Sequence, residues 1–328
     1  MLAIVNRRGS DLTDRVDGVL YTSDGRDVEM SVASTKAFYS QIAAGCLLSL
    51  GLASAWDAVE PQTAHELLVG LQAMPEALEQ VLSSRSEIAA IAKQHAPASR
   101  YWAIVGSGAN RIAAEEVRIK LSELCYKSIA CDAIEDKKHI DLSSEPMILV
   151  CAAGLRGSNA ADIAKEVAIY RAHKAVPIVV ATQGESTFGD AVDLITVPPV
   201  HNQLDFVLSA MVGHLFGYEA ALAIDAGAQP LRELRARIES VARPDVTGDF
   251  MLAELKPDLT AASEQFSVAM RSGALDGHLP ASVATKVAVL LRYGAQMTPL
   301  ESYQLDFGRV GTPALVLEDL TTALSDAI

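Results

Sequence analysis

Apolar residues recur along the chain in two rhythms, short unbroken runs and longer stretches spaced three and four apart, and these predict the elements. Leu2 to Val5 and the segment around Val19 read as strands, with Asn6-Arg7-Arg8-Gly9-Ser10 as the turn after the first. Phe38, Ile42, Cys46 and Leu50 recur every four positions, so a loop ending near Ser34 and Thr35 feeds an amphipathic helix. Either hydroxyl suits the N-cap, and the free N–H groups of such a first turn attract anions and sugar oxygens. From Trp56 to Ser99 the spacing stays helical, with a stripe through Leu67, Leu71, Met74, Leu78 and Val81 interrupted by Pro75, then a short helix through Ile88 and Ile91 before Pro97.

At Tyr101 the rhythm changes to alternating strands and helices. Strands are predicted at Tyr101–Val105, Met147–Ala152, Val176–Ala181 and Leu194–Val197, and helices at Ile112–Cys125, Asn159–Ala172 and Leu204–Ile224. Strands and helices of these lengths make a parallel sheet covered on both faces, a doubly wound α/β domain of the flavodoxin-like, three-layer kind. Beyond about Arg243 the pattern is helical, at Leu259–Met270, Ala281–Tyr293 and from Leu317 onward, with a turn at Gly311-Thr312-Pro313.

Composition narrows the classes. Half of the 328 residues are apolar, ample for buried cores, and the formal charge of −14 disfavours nucleic acid as a partner. An anionic ligand therefore needs a local patch of donors. Cys46, Cys125, Cys131 and Cys151 form no C-x-x-C and have no partner histidine at zinc spacing, so they read as buried thiols and no metal or other cofactor is implied. No unbroken apolar run reaches a membrane span and Met1–Val5 lacks the features of a secretory signal, so a cytoplasmic protein without a membrane partner is expected.

Candidate chemistry lies after the strand at Tyr101. Gly106-Ser107-Gly108 fails as a dinucleotide fingerprint, because the third glycine position is Arg111. In the helix that follows, Lys120 and Glu123 stand three apart and can project from one side, as a surface ion pair or as an acid–base set. His139 by its residue chemistry alone is equally an isolated polar surface histidine.

A resemblance separates these readings. Val32-Ala33-Ser34-Thr35-Lys36-Ala37-Phe38, with Glu29 three residues before Val32, resembles the loop closing the first sugar isomerase (SIS) domain of the glutamine–fructose-6-phosphate aminotransferase family, the glucosamine-6-phosphate synthases. Gly70-Leu71-Gln72-Ala73-Met74-Pro75 and Leu78-Glu79-Gln80-Val81-Leu82 resemble the same family's interdomain connector. Lys120-Leu121-Ser122-Glu123 is similar to its Lys-Leu-Lys-Glu, with His139 sixteen residues after Glu123 as in the family. The resemblance implies residues 1–55 as the end of a first SIS domain, 56–99 as a helical connector, 100–226 as a second SIS domain and 227–328 as a tail and helical extension. It implies sugar contacts at Val32, Ala33 and Ser34, Glu123 as the base moving a proton between C1 and C2, Lys120 as a charge stabiliser and His139 as the ring-opening acid–base. Because the family's histidine reaches the partner's site, it also implies a homodimer acting on a sugar phosphate of the fructose 6-phosphate class.

The departures are specific. Ser122 replaces a lysine and Ile140-Asp141 replaces the Gly-Pro after the histidine. Asp225 to Arg232 resembles the family's closing segment, but where the family has a Schiff-base lysine this chain has Arg235, whose guanidinium cannot condense with a carbonyl. The family's Ser-Gln-Ser-Gly-Glu-Thr phosphate loop and glutaminase half do not occur in these residues. The expectation is thus an isomerase and aminotransferase portion that forms glucosamine 6-phosphate from fructose 6-phosphate when part of a complete protein and is inactive alone. A non-catalytic sugar-phosphate-binding or dimerisation module, or a related deglycase or isomerase, is the alternative.

Overall fold

The computed structural model describes residues 1–23, 34–140, 146–243 and 245–328. Contacts divide the chain into two compact units, Met1–Ala89 with Trp102–Tyr218, and Ala90–Tyr101 with Glu219–Ile328.

In the first unit β1 (Leu2–Val5) and β2 (Gly18–Tyr21) pair in parallel, Leu2 opposite Gly18 and Val5 opposite Tyr21. Helix α1 (Thr35–Ala55) starts at Ser34, whose hydroxyl accepts from the Ala37 N–H at 3.2 Å, so Ser34 rather than Thr35 is the cap. Helices α2 (Pro61–Ser83) and α3 (Arg85–His95) follow, and α2 runs straight through Pro75 instead of stopping there. Leu67, Met74, Ala77 and Val81 are buried along one face of α2 and offset the hydrogen bond that proline removes.

The main sheet has five parallel strands in the order β4-β3-β5-β6-β7, comprising β3 (Trp102–Gly106), β4 (Ile129–Asp132), β5 (Met147–Cys151), β6 (Val176–Thr182) and β7 (Asp193–Val197). Helices α4 (Ala109–Cys125), α5 (Ile134–Ile140), α6 (Gly157–Ala172) and α7 (Asp205–Val241) alternate with or follow the strands. Every residue of β3 and β5 is buried, as a sheet covered on both faces requires. On one face Ala103, Val105, Ile148, Val150 and Val179 pack with Ile134 of α5 and Ile163 and Val167 of α6. This is the expected doubly wound α/β fold.

Two elements escape the periodicity. β4 is a four-residue edge strand and α5 a seven-residue helix, each too short to repeat a pattern. α7 corrects the predicted end near Ile224: it continues through Gly227 and Pro230 to Val241, so the segment resembling the family's closing stretch is helical here.

The second unit is helical. With the distal part of α7 it contains α8 (Gly248–Arg271), α9 (Ala281–Gly294), the short α10 (Tyr303–Phe307) and α11 (Pro313–Ala327) around Leu234, Leu255, Leu259, Val287, Leu290 and Leu320. The predicted turn at Gly311-Thr312-Pro313 is the start of α11, where the Thr312 hydroxyl accepts from the Leu315 N–H at 3.3 Å.

Two expectations are corrected. α1 and α7 are each long and apolar enough to cross a membrane by length and composition, because helices interspersed with Ser, Gly and Gln pass that test without an unbroken apolar run. Over half of the apolar window of α7 is buried within the protein, as in a core helix, whereas that of α1 is 6% buried. All four cysteines are free as expected, but only Cys125 and Cys151 are buried, Cys46 and Cys131 being half-buried.

Candidate functional site

A cavity of about 1030 Å³ opens in the first unit between the start of α1, the end of α4 and the middle of α7. α1 lends Thr35, Lys36 and Tyr39, α4 lends Lys120, Ser122 and Glu123, and α7 lends Met211, His214 and Tyr218.

Glycines on α7 bring these helices together. A side chain at Gly213 would meet Val117 Cγ2 at 2.1 Å, and one at Gly217 would meet Leu121 Cδ1 at 2.5 Å, so α7 lies on α4 at a distance only glycine allows. Further along, the buried Ser209 hydroxyl donates to Asn110 Oδ1 at 2.8 Å and Asn110 Nδ2 donates to the Ala153 carbonyl at 2.8 Å, tying both helices to the loop after β5.

Lys120 is buried at 5% exposure and does not pair with Glu123. Its ammonium reaches back one turn to Glu116 Oε1 at 2.8 Å and across to the Ser34 carbonyl at 3.2 Å, fixing the cap of α1 over α4. Glu123 is exposed at the cavity wall, with no hydrogen-bond or ion-pair partner among the described residues. The surface ion pair that could have explained Lys-x-x-Glu is therefore not formed. A carboxylate facing an open cavity without a partner keeps its lone pairs for a ligand's proton.

The structure brings Lys120, Glu123 and Ser34 to one place. His139 is exposed on α5 and does not line the cavity. Val32 and Ala33 lie outside the described residues.

Three residues missed in the sequence belong to this site: Tyr39 and His214 line the cavity, and Glu116 bonds to His214 and Lys120. His214 Nε2 lies 3.1 Å from Glu116 Oε1, and its Nδ1 lies 2.6 Å from the Tyr39 hydroxyl. Burial pushes the Glu116 carboxyl up, but the hydrogen bonds and charges of His214 and Lys120 outweigh it and hold the group below the usual carboxylate range. Burial, and then the Glu116 charge, push the Tyr39 hydroxyl well above its ordinary value, so Tyr39 stays a neutral phenol. Gly213 and Gly217, four apart in an apolar helix, mark a close approach in the sequence with His214 as the polar residue beside it, but nothing there points to Tyr39 or Glu116. Among the described residues no group of histidines, cysteines and carboxylates could hold a metal ion.

No protein-family model matches the chain. Over 229 residues, 68% of its length, it is 32% identical to the glutamine–fructose-6-phosphate aminotransferase (isomerizing) of Mycolicibacterium smegmatis, covering 36% of that protein. The enzyme of the same name from Thermus thermophilus is 31% identical over 228 residues, 68% of this chain and 37% of the relative. The chain thus spans about a third of the length of the curated relatives it matches. It superposes on the C-terminal domain of glucosamine-fructose-6-phosphate aminotransferase from Francisella tularensis with a TM-score of 0.62 and 20% identity, over 68% of this chain and 63% of that one. For tagatose-6-phosphate ketose/aldose isomerase from Escherichia coli the TM-score is 0.50 at 17% identity, over 67% and 60% of the two chains. These structural likenesses show the shared fold.

Proposed function

We propose that this chain, which resembles the sugar isomerase half of the glutamine–fructose-6-phosphate aminotransferases, carries a sugar-phosphate site of the isomerase type. Joined to the remainder of such a protein, it forms glucosamine 6-phosphate from fructose 6-phosphate. The observation that carries this reading is the unpartnered Glu123 carboxylate on the same cavity as the buried Lys120.

In this reading the open-chain sugar lies across the end of α4. Glu123 takes the proton from C1 and returns it at C2, or the reverse, which one carboxylate can do because both carbons of an enediol or enamine lie within its reach. Lys120 stabilises the oxygen charge that builds up as the proton leaves, in a partly enclosed place where such a charge–charge contact counts for more than in water. Ser34, with Val32 and Ala33, holds the sugar hydroxyls. His139, exposed and away from this cavity, suits an acid–base group offered to the site of a second subunit, which makes the working form a homodimer. Cytoplasmic sugar metabolism is the setting this chemistry fits.

The second reading, a non-catalytic sugar-phosphate-binding or dimerisation module, is favoured by Arg235. It stands at the spacing of the Schiff-base lysine and is engaged with Glu239 Oε1 at 2.9 Å within α7. Glu123→Gln discriminates the two in a form of the protein that turns over sugar phosphate. The variant keeps the size and loses the base, so turnover falls by about 10²–10⁴ with binding close to wild type. Unchanged turnover would remove Glu123 from the chemistry.

A further inference from the structure

The polar groups at the base of the cavity form one unbroken chain from Tyr39 through His214 and Glu116 to Lys120. A single oxygen, Oε1 of Glu116, takes both the imidazole at 3.1 Å and the ammonium at 2.8 Å. At its other end His214 Nδ1 meets the Tyr39 hydroxyl at 2.6 Å, and that hydroxyl is also 3.3 Å from the sulfur of Met211. Tyr39 therefore has two acceptors. With His214 neutral, Nε2–H donates to Glu116 and the tyrosine O–H donates to Nδ1. With His214 protonated, Nδ1–H donates to the tyrosine oxygen and the O–H turns to the Met211 sulfur. Either state leaves the imidazole with a partner on both nitrogens, which a buried histidine otherwise loses on gaining a proton.

We propose that His214 is a positioning residue for Lys120, acting through the shared oxygen of Glu116. A protonated imidazole draws on Oε1 more strongly, loosens its hold on the ammonium and turns Lys120 toward the cavity; a neutral one leaves Lys120 bound to Glu116. His214 thereby sets how much of the lysine charge a ligand meets. The imidazole bonds to Tyr39 on α1 and to Glu116 on α4, and the other titratable groups on the same cavity are Lys36 on α1, Lys120 and Glu123 on α4, Tyr126 just after it and Tyr218 on α7. The Phe38 and Tyr39 rings pack on it edge-to-face, their centroids 5.9 and 5.4 Å from the imidazole centroid. The inference rests on the reading of the cavity as a sugar-phosphate site.

The test is a pH titration of the full chain by NMR, with histidine rings and lysine side chains labelled and the signals assigned through His214→Asn and Lys120→Arg. The proposal expects the Lys120 signal to move over the same pH interval as the His214 ring, and Glu116→Gln to abolish that joint movement. A Lys120 signal flat across the His214 titration, or a coupling that survives in Glu116→Gln, overturns it. Should Glu116→Gln not fold, Tyr39→Phe serves: removing the switchable hydroxyl must displace the joint movement of both signals, and no displacement overturns the proposal. A further arm adds fructose 6-phosphate to saturation. Movement of His214 together with Lys120 supports both proposals, whereas intact coupling without a sugar response supports the role of His214 and removes the sugar reading. A sugar response at Lys120 with His214 unmoved overturns the role of His214.

Discussion

Glu116 shows how much a single residue's identity depends on what folds against it. On the sequence it is one acid among many on an exposed-looking helix, and in the structure it is the common partner of a buried lysine and a buried histidine. Glu116→Gln leaves the buried Lys120 ammonium with neutral carbonyl acceptors and no opposite charge, and breaking a buried ion pair this way costs about 3–5 kcal/mol, read as a lower urea midpoint. The pH dependence has a definite sign. Because the folded carboxyl is held below its unfolded value, its contribution is fully present above about pH 4.3 and is lost as pH falls through the lower folded value. The difference between wild type and variant therefore shrinks at acid pH; a constant difference across that window would show that Glu116 is not ionised in the fold. Lys120, Glu123 and Ser34 were legible as candidates because a local spacing and a local string carried them. The linkage of Tyr39, His214 and Glu116 was not, since His214 stands 98 residues from Glu116 and no period in the sequence joins them.

At the scale of elements, hydrophobic rhythm located the long strands and helices, and it failed for physical reasons where they are short or carry proline. β4 and α5 offer too few residues for a period. Pro75, Pro230 and Pro257 all lie inside helices, where each removes one backbone hydrogen bond and reads in the sequence as a stop. After Pro230 the buried Leu231, Leu234 and Ile238 hold the distal part of α7 within the core of the helical unit. The α4–α7 contact gives a prediction of its own. Gly213→Ala adds up to about 1 kcal/mol of helix propensity, yet its new methyl meets Val117 Cγ2 at 2.1 Å and Cγ1 at 2.6 Å, and valine is too stiff at χ1 to swing clear. Overpacking costs about 1–3 kcal/mol, so the clash wins and the denaturant midpoint falls. A rise would mean that α7 can lift away from α4 without loss, and the cavity would not depend on that contact.

At the scale of the whole molecule, the acidic balance and the proposed reach of His139 shape how the chain works with others. A homodimer burying more than about 1,500 Å² is expected from the latter, and sedimentation should give a dimer at micromolar concentration. A folded monomer there would remove the shared site. The net charge of −14 bears on the ligand. A dianionic phosphate near so acidic a surface needs several converging N–H and hydroxyl donors, and these 328 residues contain no Ser-Gln-Ser-Gly-Glu-Thr loop. What the cavity offers is a buried ammonium and the start of α1.

On the proposed reading, this cavity holds the sugar of a sugar phosphate through Lys120 while its phosphate goes largely unheld by these residues. Calorimetric titration of the 328-residue chain with fructose 6-phosphate and with glucosamine 6-phosphate, alongside Lys120→Met, tests it most directly. Millimolar binding of both sugars in the wild type, lost in the variant, is the expected result. Micromolar binding of either sugar, or binding that Lys120→Met leaves unchanged, would contradict it.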